Sequence, residues 1–160
     1  MADEPSFEFR IPDACWTVRF SDAAATVMNG HQQRRWHQKE TVGQLFSPDL
    51  TASMLYISEA TVLTRTKSSR ASVTIDPEEA EEQRISKLQE RLYCVGLWHT
   101  HPEATPRPSK IDERLAADHA VVAQSVLNGL CFLIVGTAIP PDGWYFGVHD
   151  GKCFHEAKPI

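Results

Sequence analysis

Hydrophobic and polar positions along the chain fall into two rhythms. "CWTVRF" (15–20) alternates with the period of two that a half-buried strand requires. "SDAAATVMNGHQQRRW" (21–36) follows as a helix, with Ser21 placed as its N-cap and Asn29-Gly30 able to end or bend it. "ETVGQLFS" (40–47), "SMLYIS" (53–58) and "ATVLTRT" (60–66) read as short strands of a meander, divided by turn residues such as Pro48-Asp49. "DPEEAEEQRISKLQERL" (76–92) predicts a helix: Asp76 at the N-cap, Pro77 at the first helical position, Glu79 at the capping-box position. Its Ile85, Leu88 and Leu92 recur at helical spacing and are expected in the core. "YCVGLWHTH" (93–101) returns to strand. A second strong helix starts at Ser109, carries Ile111, Leu115, Val122 and Val126 on one face, and stops at Asn128-Gly129. "CFLIVGT" (131–137) and "GWYFGVH" (143–149) are further strands. Strands and helices mix without strict alternation, so the expected class is α+β, one mixed sheet with helices packed on it.

Composition narrows the function classes. The 160 residues suit a single domain (1–160), with 42% hydrophobic and 23% charged residues and no low-complexity tract. A formal charge of −5 without any Lys/Arg stripe speaks against nucleic acid as a partner. "MADEPSFEFR" is acidic and unlike a signal peptide, and "LCFLIV" (130–135) is too short to span a bilayer. Cys15, Cys94, Cys131 and Cys153 show no paired spacing, and Cys94 and Cys131 read as small buried hydrophobes. No membrane partner and a cytoplasmic location are expected.

The chemistry concentrates in "WHTHPEATPRPSKID" (98–112). On a strand, His99 and His101 project to one face and Trp98 to the other, where it reads as core. Two imidazoles about 6–7 Å apart along the strand can reach one metal ion. Pro102, Pro106 and Pro108 forbid helix and deliver Ser109 and Asp112 to the next helix start. Asp112 could reach back to an ion held by the histidines. Two imidazoles and one carboxylate leave a fourth tetrahedral position for water, the arrangement of a catalytic zinc site. Alone, Ser-x-x-Asp is an ordinary capping box and His-x-His an ordinary strand feature. Together at this spacing they should arise by chance in on the order of one in several thousand chains. His119 reads as a packed histidine, His31 and His37 as surface. Glu103 is open between substrate contact and solvation.

"HTHPEATPRPSKID" resembles the signature of the JAB/MPN metallopeptidases, or JAMM proteases: His-x-His, seven residues, Ser, two residues, Asp. That family also has a glutamate far upstream, before a strand continuing with glycine and leucine, which "KETVGQLF" matches with Glu40, Gly43 and Leu45. Where the family often has two adjacent glycines, this chain has Val42-Gly43. The resemblance implies an MPN/JAB-like (cytidine deaminase-like) fold and one Zn²⁺ per chain. It implies His99, His101 and Asp112 as metal ligands, Glu40 as general base and Ser109 as the residue steadying the oxyanion. Without the family, Glu40 reads as a solvated strand-end carboxylate.

Three functions compete on that basis. The first is an isopeptidase removing a ubiquitin-like or other conjugated protein from its target. The chain's size and "GLWHTHPE" resemble stand-alone bacterial members, including those of CBASS antiphage operons. There the partners would be activating- and conjugating-enzyme homologues or a cGAS-like nucleotidyltransferase. The second is a peptidase trimming a sulfur-carrier or ubiquitin-like precursor. The third, a non-catalytic MPN scaffold, ranks last because all the ligand positions are filled. "TRTKSSRASVTID" (64–76) resembles the family region that pairs with the extended tail of the ubiquitin-like protein; a plain surface loop is the alternative.

Overall fold

The computed structural model describes residues 7–68, 73–123 and 129–160. In chain order the elements are β1 (Phe7–Arg10), β2 (Thr17–Phe20), α1 (Asp22–Asn29), β3 (Val42–Ser47), β4 (Met54–Ile57) and β5 (Glu59–Ala60). Next come β6 (Lys67–Ser68), β7 (Val73–Thr74), α2 (Pro77–Gln89), β8 (Tyr93–Thr100) and α3 (Lys110–Ala123). The chain closes with β9 (Leu130–Val135), β10 (Trp144–His149), β11 (Phe154–Glu156) and β12 (Lys158–Pro159).

A six-stranded sheet, ordered β11-β10-β9-β8-β3-β5, forms the middle layer. β8 and β9 run parallel; the other neighbours are antiparallel. Every position of β3, β9 and β10 is buried, so both faces of this sheet must be covered. One face packs Trp98, Leu133 and Phe146 against Ala24, Ala25 and Met28 of α1 and against a second sheet, β12-β1-β2-β4. Phe9 and Phe20 of that second sheet meet Phe146 edge-on, both at 5.2 Å. The other face packs Leu97, Phe132, Ile134 and Tyr145 against Ala116 of α3, and Val42 against Ala80 of α2. The fold is α+β, a mixed sheet with helices on both faces.

Several elements depart from the sequence reading. The meander does not form: β3 pairs with β5, whereas β4 leaves to pair in parallel with β2 in the second sheet. The burial pattern shows why. β4 alternates exposed and buried, as suits an outer sheet with one wet face, while β3 is buried throughout. The strand expected over 60–66 keeps only its start, although Thr61 and Leu63 still donate to Gln44 and Val42 carbonyls of β3. α1 ends at Asn29 rather than running to Trp36, with Gly30 as its C-cap.

Ile85 and Leu88 of α2 are not core; each is 55% exposed. The helix instead docks through Ala80 and a polar seam: the Gln44 amide donates to Ala80 O and Gln83 Oε1, and Arg84 donates to Gln44 Oε1. In α3 the buried stripe is Asp112, Ala116 and Ala120, while Ile111 is 57% exposed. Alanines let this helix lie close to the sheet, so the larger apolar side chains are turned aside. Leu88, Leu92, Ile111 and Leu115 thereby line a groove of about 840 Å³ between α2 and α3. The Val122 side chain, Val126 and the stop at Asn128 lie outside the described residues. Of the 64–76 segment, β6 and β7 pair as a two-stranded ladder, and residues 69–72 lie outside the description.

Candidate metal centre

The site forms where the end of β8, the start of β3 and the first turn of α3 converge. β3 and β8 are antiparallel with Val42 opposite His99, so the residue just before β3 arrives beside the two histidines. Gly43 makes this crossing possible. A Cβ there would fall 1.7 Å from Thr61 O and 2.4 Å from Trp98 Nε1, and Trp98 Nε1 donates to that same carbonyl at 2.8 Å.

Glu40 is held from both sides. The Gln33 amide donates to Gln38 O at 3.1 Å. Thr41 N donates to Thr100 Oγ1 and Thr100 N to Thr41 O, both at 2.9 Å. Thr100 Oγ1 in turn donates to Gln33 Oε1 at 2.9 Å, with both side chains buried. This closed chain of bonds fixes the backbone of 38–41 against the strand residue between the two histidines.

Glu40, His99, His101 and Asp112 are all buried, His99 completely. The two imidazole centroids are 4.8 Å apart, and His99 rests edge-on against Phe132. His99 Nε2 lies 3.1 Å from Asp112 Oδ1, and His101 Nε2 lies 3.2 Å from Asp112 Oδ2. Nitrogen and oxygen ligands at zinc's bond lengths sit about 3.3 Å from one another on a tetrahedron, so each imidazole nitrogen lies at ligand spacing from an oxygen of the Asp112 carboxylate. Despite its nearness to Asp112, His99 Nε2 makes no hydrogen bond in the fully buried interior. A buried nitrogen without a hydrogen-bond partner is costly unless a cation takes its lone pair. The residues present therefore fit a zinc ion. Glu40 stands one step farther out, with Oε1 3.8 Å from His101 Nε2 and Oε2 3.8 Å from His99 Nδ1. Glu40, His99 and His101 also offer atoms mutually close enough for a shared ion.

Asp112 is fixed by a reciprocal capping box: Ser109 N donates to Asp112 Oδ2 at 2.7 Å and Asp112 N donates to Ser109 Oγ at 3.1 Å. Ser109 Oγ accepts in that bond and keeps its own proton to donate. Glu103, open in the sequence reading, lies 3.1 Å from His101 Nδ1 through Oε2. A carboxylate on Nδ1 sets the tautomer that frees Nε2 as a ligand. The Glu103 backbone accepts from Thr137 N, and His101 N donates to Val135 O, so this turn is pinned to the end of β9. His119 stays outside the group, its Nδ1 2.9 Å from Leu115 O of its own helix. His31 and His37 are exposed.

Burial pushes the Glu40 carboxyl up to about 7; the charge of His101 works against that rise, and Asp112 and Glu103 add to it. Burial also acts to raise Asp112, but the imidazoles of His101 and His99 outweigh it and hold Asp112 well below the usual carboxylate range. For His101, burial opposes protonation, yet Asp112, Glu40 and Glu103 together raise its pKa. Two carboxylates in one pocket thus sit at opposite extremes, one ready to ligate and one able to exchange a proton near neutrality.

A mixed sheet presenting two strand-end histidines, a helix-start aspartate and a buried glutamate defines a JAB-type domain with a group fitting a JAMM metal site. The family model "Prokaryotic homologs of the JAB domain" matches residues 26–146, and the chain belongs to that family. The fold is similar to the solution structure of protein DSY2949 from Desulfitobacterium hafniense, at 20% identity and a TM-score of 0.67. That match covers 88% of this chain and 90% of the other. Among the described residues, no helix is long and apolar enough to cross a membrane.

Proposed function

We propose that this protein is a zinc-dependent isopeptidase that separates a ubiquitin-like or C-terminally conjugated protein from its target. The observation carrying this reading is Glu40, with its pKa near 7, buried beside two imidazoles whose nitrogens lie at ligand spacing from the Asp112 carboxylate. His99, His101 and Asp112 would hold the ion. When bound, zinc supplies a Lewis acid and an acidified water at neutral pH. Glu40 takes a proton on Oε1 or Oε2 and returns it to the departing amine. The Ser109 hydroxyl, its lone pair engaged by Asp112 N, donates to the carbonyl oxygen as negative charge develops there. Glu103 orients His101, and the Gln33–Thr100 chain keeps Glu40 in reach.

The choice of a conjugated protein over a sulfur-carrier precursor rests on the sequence resemblance, as do an antiphage setting and nucleotidyltransferase partners. The filled ligand positions weigh against a non-catalytic scaffold. Cleavage of an isopeptide-linked ubiquitin-like conjugate, compared with a linear precursor fusion, tests the reading. Wild-type protein with zinc should cleave the conjugate; Glu40→Gln should lose that activity while keeping zinc at the candidate centre. Cleavage of the linear fusion alone would replace the isopeptidase reading with precursor processing. Activity in Glu40→Gln equal to wild type would remove Glu40 as base.

A further inference from the structure

The turn joining β10 to β11, on the edge of the central sheet opposite β5, carries a second group of ligand-type side chains. β10 and β11 pair with His149 opposite Phe154 and Val148 opposite His155. Phe154 packs inward, its ring 4.8 Å from His149, 5.4 Å from Phe132 and 6.0 Å from Tyr145. Strand side chains alternate, so pinning Phe154 inward sends Cys153 and His155 outward together. The same period of two that joins His99 to His101 therefore recurs here.

The turn itself is preorganised. Gly151 adopts φ 99°, a conformation that a side chain would strain. Asp150 N donates to Cys153 O at 3.2 Å, and Asp150 Oδ1 accepts from Lys152 N at 2.7 Å and Cys153 N at 3.0 Å. These bonds fix the carboxylate and leave Oδ2 2.8 Å from His155 Nε2 and 3.9 Å from Cys153 Sγ. The Sγ lies 3.8 Å from the same Nε2. Thiol and carboxylate thus approach a single imidazole nitrogen. A catalytic relay needs them on opposite nitrogens, so this is not a cysteine-protease arrangement.

We propose that Asp150, Cys153 and His155 form a second, solvent-facing site for a zinc-class divalent cation. With zinc–sulfur bonds of about 2.3 Å and zinc–nitrogen or –oxygen bonds of about 2.0–2.1 Å, tetrahedral ligands are about 3.5 Å apart when one is sulfur and about 3.3 Å otherwise. The observed spacings of 3.8, 3.9 and 2.8 Å each lie within about half an ångström of those values. A thiolate, imidazole and carboxylate set selects zinc, cobalt, nickel or copper over magnesium and calcium. A bound ion would tie the turn to edge strand β11, with one coordination position open to solvent. This inference does not depend on the proposed peptidase activity.

Cobalt separates the two sites, because only this one contains sulfur. Metal-free full-length protein is titrated with Co²⁺ alone while the near-ultraviolet sulfur-to-cobalt charge-transfer band is followed. The band should be saturated by two equivalents, the other being taken up by the candidate centre, and added zinc should abolish it. The band should persist in His99→Ala and disappear in Cys153→Ser, a change that leaves the backbone of the turn intact. His155→Ala should weaken cobalt binding at this band by tenfold or more. No band in the wild type, or a band that survives Cys153→Ser, would overturn the site, the latter placing the thiolate elsewhere. Unchanged cobalt affinity in His155→Ala would equally overturn the three-ligand assignment.

Discussion

Thr100→Val isolates the device that holds Glu40 without touching any ligand. Valine keeps the shape of threonine but replaces the hydroxyl by a methyl. Thr100 is fully buried, and its Oγ1 both accepts from Thr41 N and donates to Gln33 Oε1. Removing it strands two polar partners in the interior, at about 1–3 kcal/mol each. A total loss of about 2–6 kcal/mol corresponds to a fall in Tm of roughly 4–24 °C for a domain of this size. The Thr41 amide, left with no acceptor, should exchange with deuterium far faster than its neighbours in β3. Zinc content should stay at one per chain at the candidate centre, because His99, His101 and Asp112 keep their own supports. Turnover should fall on the order of tenfold as Glu40 gains freedom, equivalent to about 1.4 kcal/mol of barrier. The assay pairs thermal melts with amide exchange by NMR, so it does not depend on knowing the substrate. Unchanged Tm and unchanged Thr41 protection would refute the bond chain as the element fixing Glu40.

Asp112→Asn should lose zinc at the candidate centre by elemental analysis, since it removes the negative charge that both imidazoles approach. Its Tm should fall by no more than a few degrees, because Asn can still accept from Ser109 N. Glu103→Gln should weaken zinc binding about 10–100-fold in competition with a chelator, the usual effect of losing a carboxylate behind a histidine ligand. Metal-free protein should lose stability between pH 5 and pH 8. The folded pKa of Glu40, about 7, exceeds its ordinary 4.5, so its contribution is complete below 4.5 and lost as pH rises through 7. The rise is worth about 3 kcal/mol. His101, also raised, acts in the same sense, whereas Asp112, held low, matters only in acid. Melts of chelator-treated wild type and Glu40→Gln across that range check this: the Gln variant should show a clearly smaller slope, and parallel curves would contradict it.

The parts of the site legible in the sequence are those governed by local geometry. His99 and His101 share a face because strands alternate, and Ser109 and Asp112 meet because a capping box spans three residues. Both hold whatever the rest of the chain does. Ser21 and Asp76 as N-caps belong to the same class, each accepting from a helix N–H as expected. The Asp150, Cys153 and His155 group followed the same period-two rule, and "DGKCFH" would have disclosed it had a turn glycine with alternating ligands been sought.

What periodicity could not decide was which apolar stripe becomes core. Ile85, Leu88 and Ile111 have the spacing of buried residues, yet Ala80, Ala116 and Ala120 face the sheet because small side chains allow the closer approach. Glu40 belongs to the same category. Its sequence neighbourhood is that of a solvated strand end, and its burial and raised pKa arise only when β3 pairs with β8 and Gln33 and Thr100 clamp it there. By itself the sequence determined an α+β chain, two well-capped helices and a strand-end pair of imidazoles facing a helix-start carboxylate. Tertiary structure alone decided the split into two sheets, the α2–α3 groove and the place of Glu40. The physical reason is one of range: backbone periodicity and capping act over a few residues, whereas burial and pKa depend on groups brought together from distant parts of the chain.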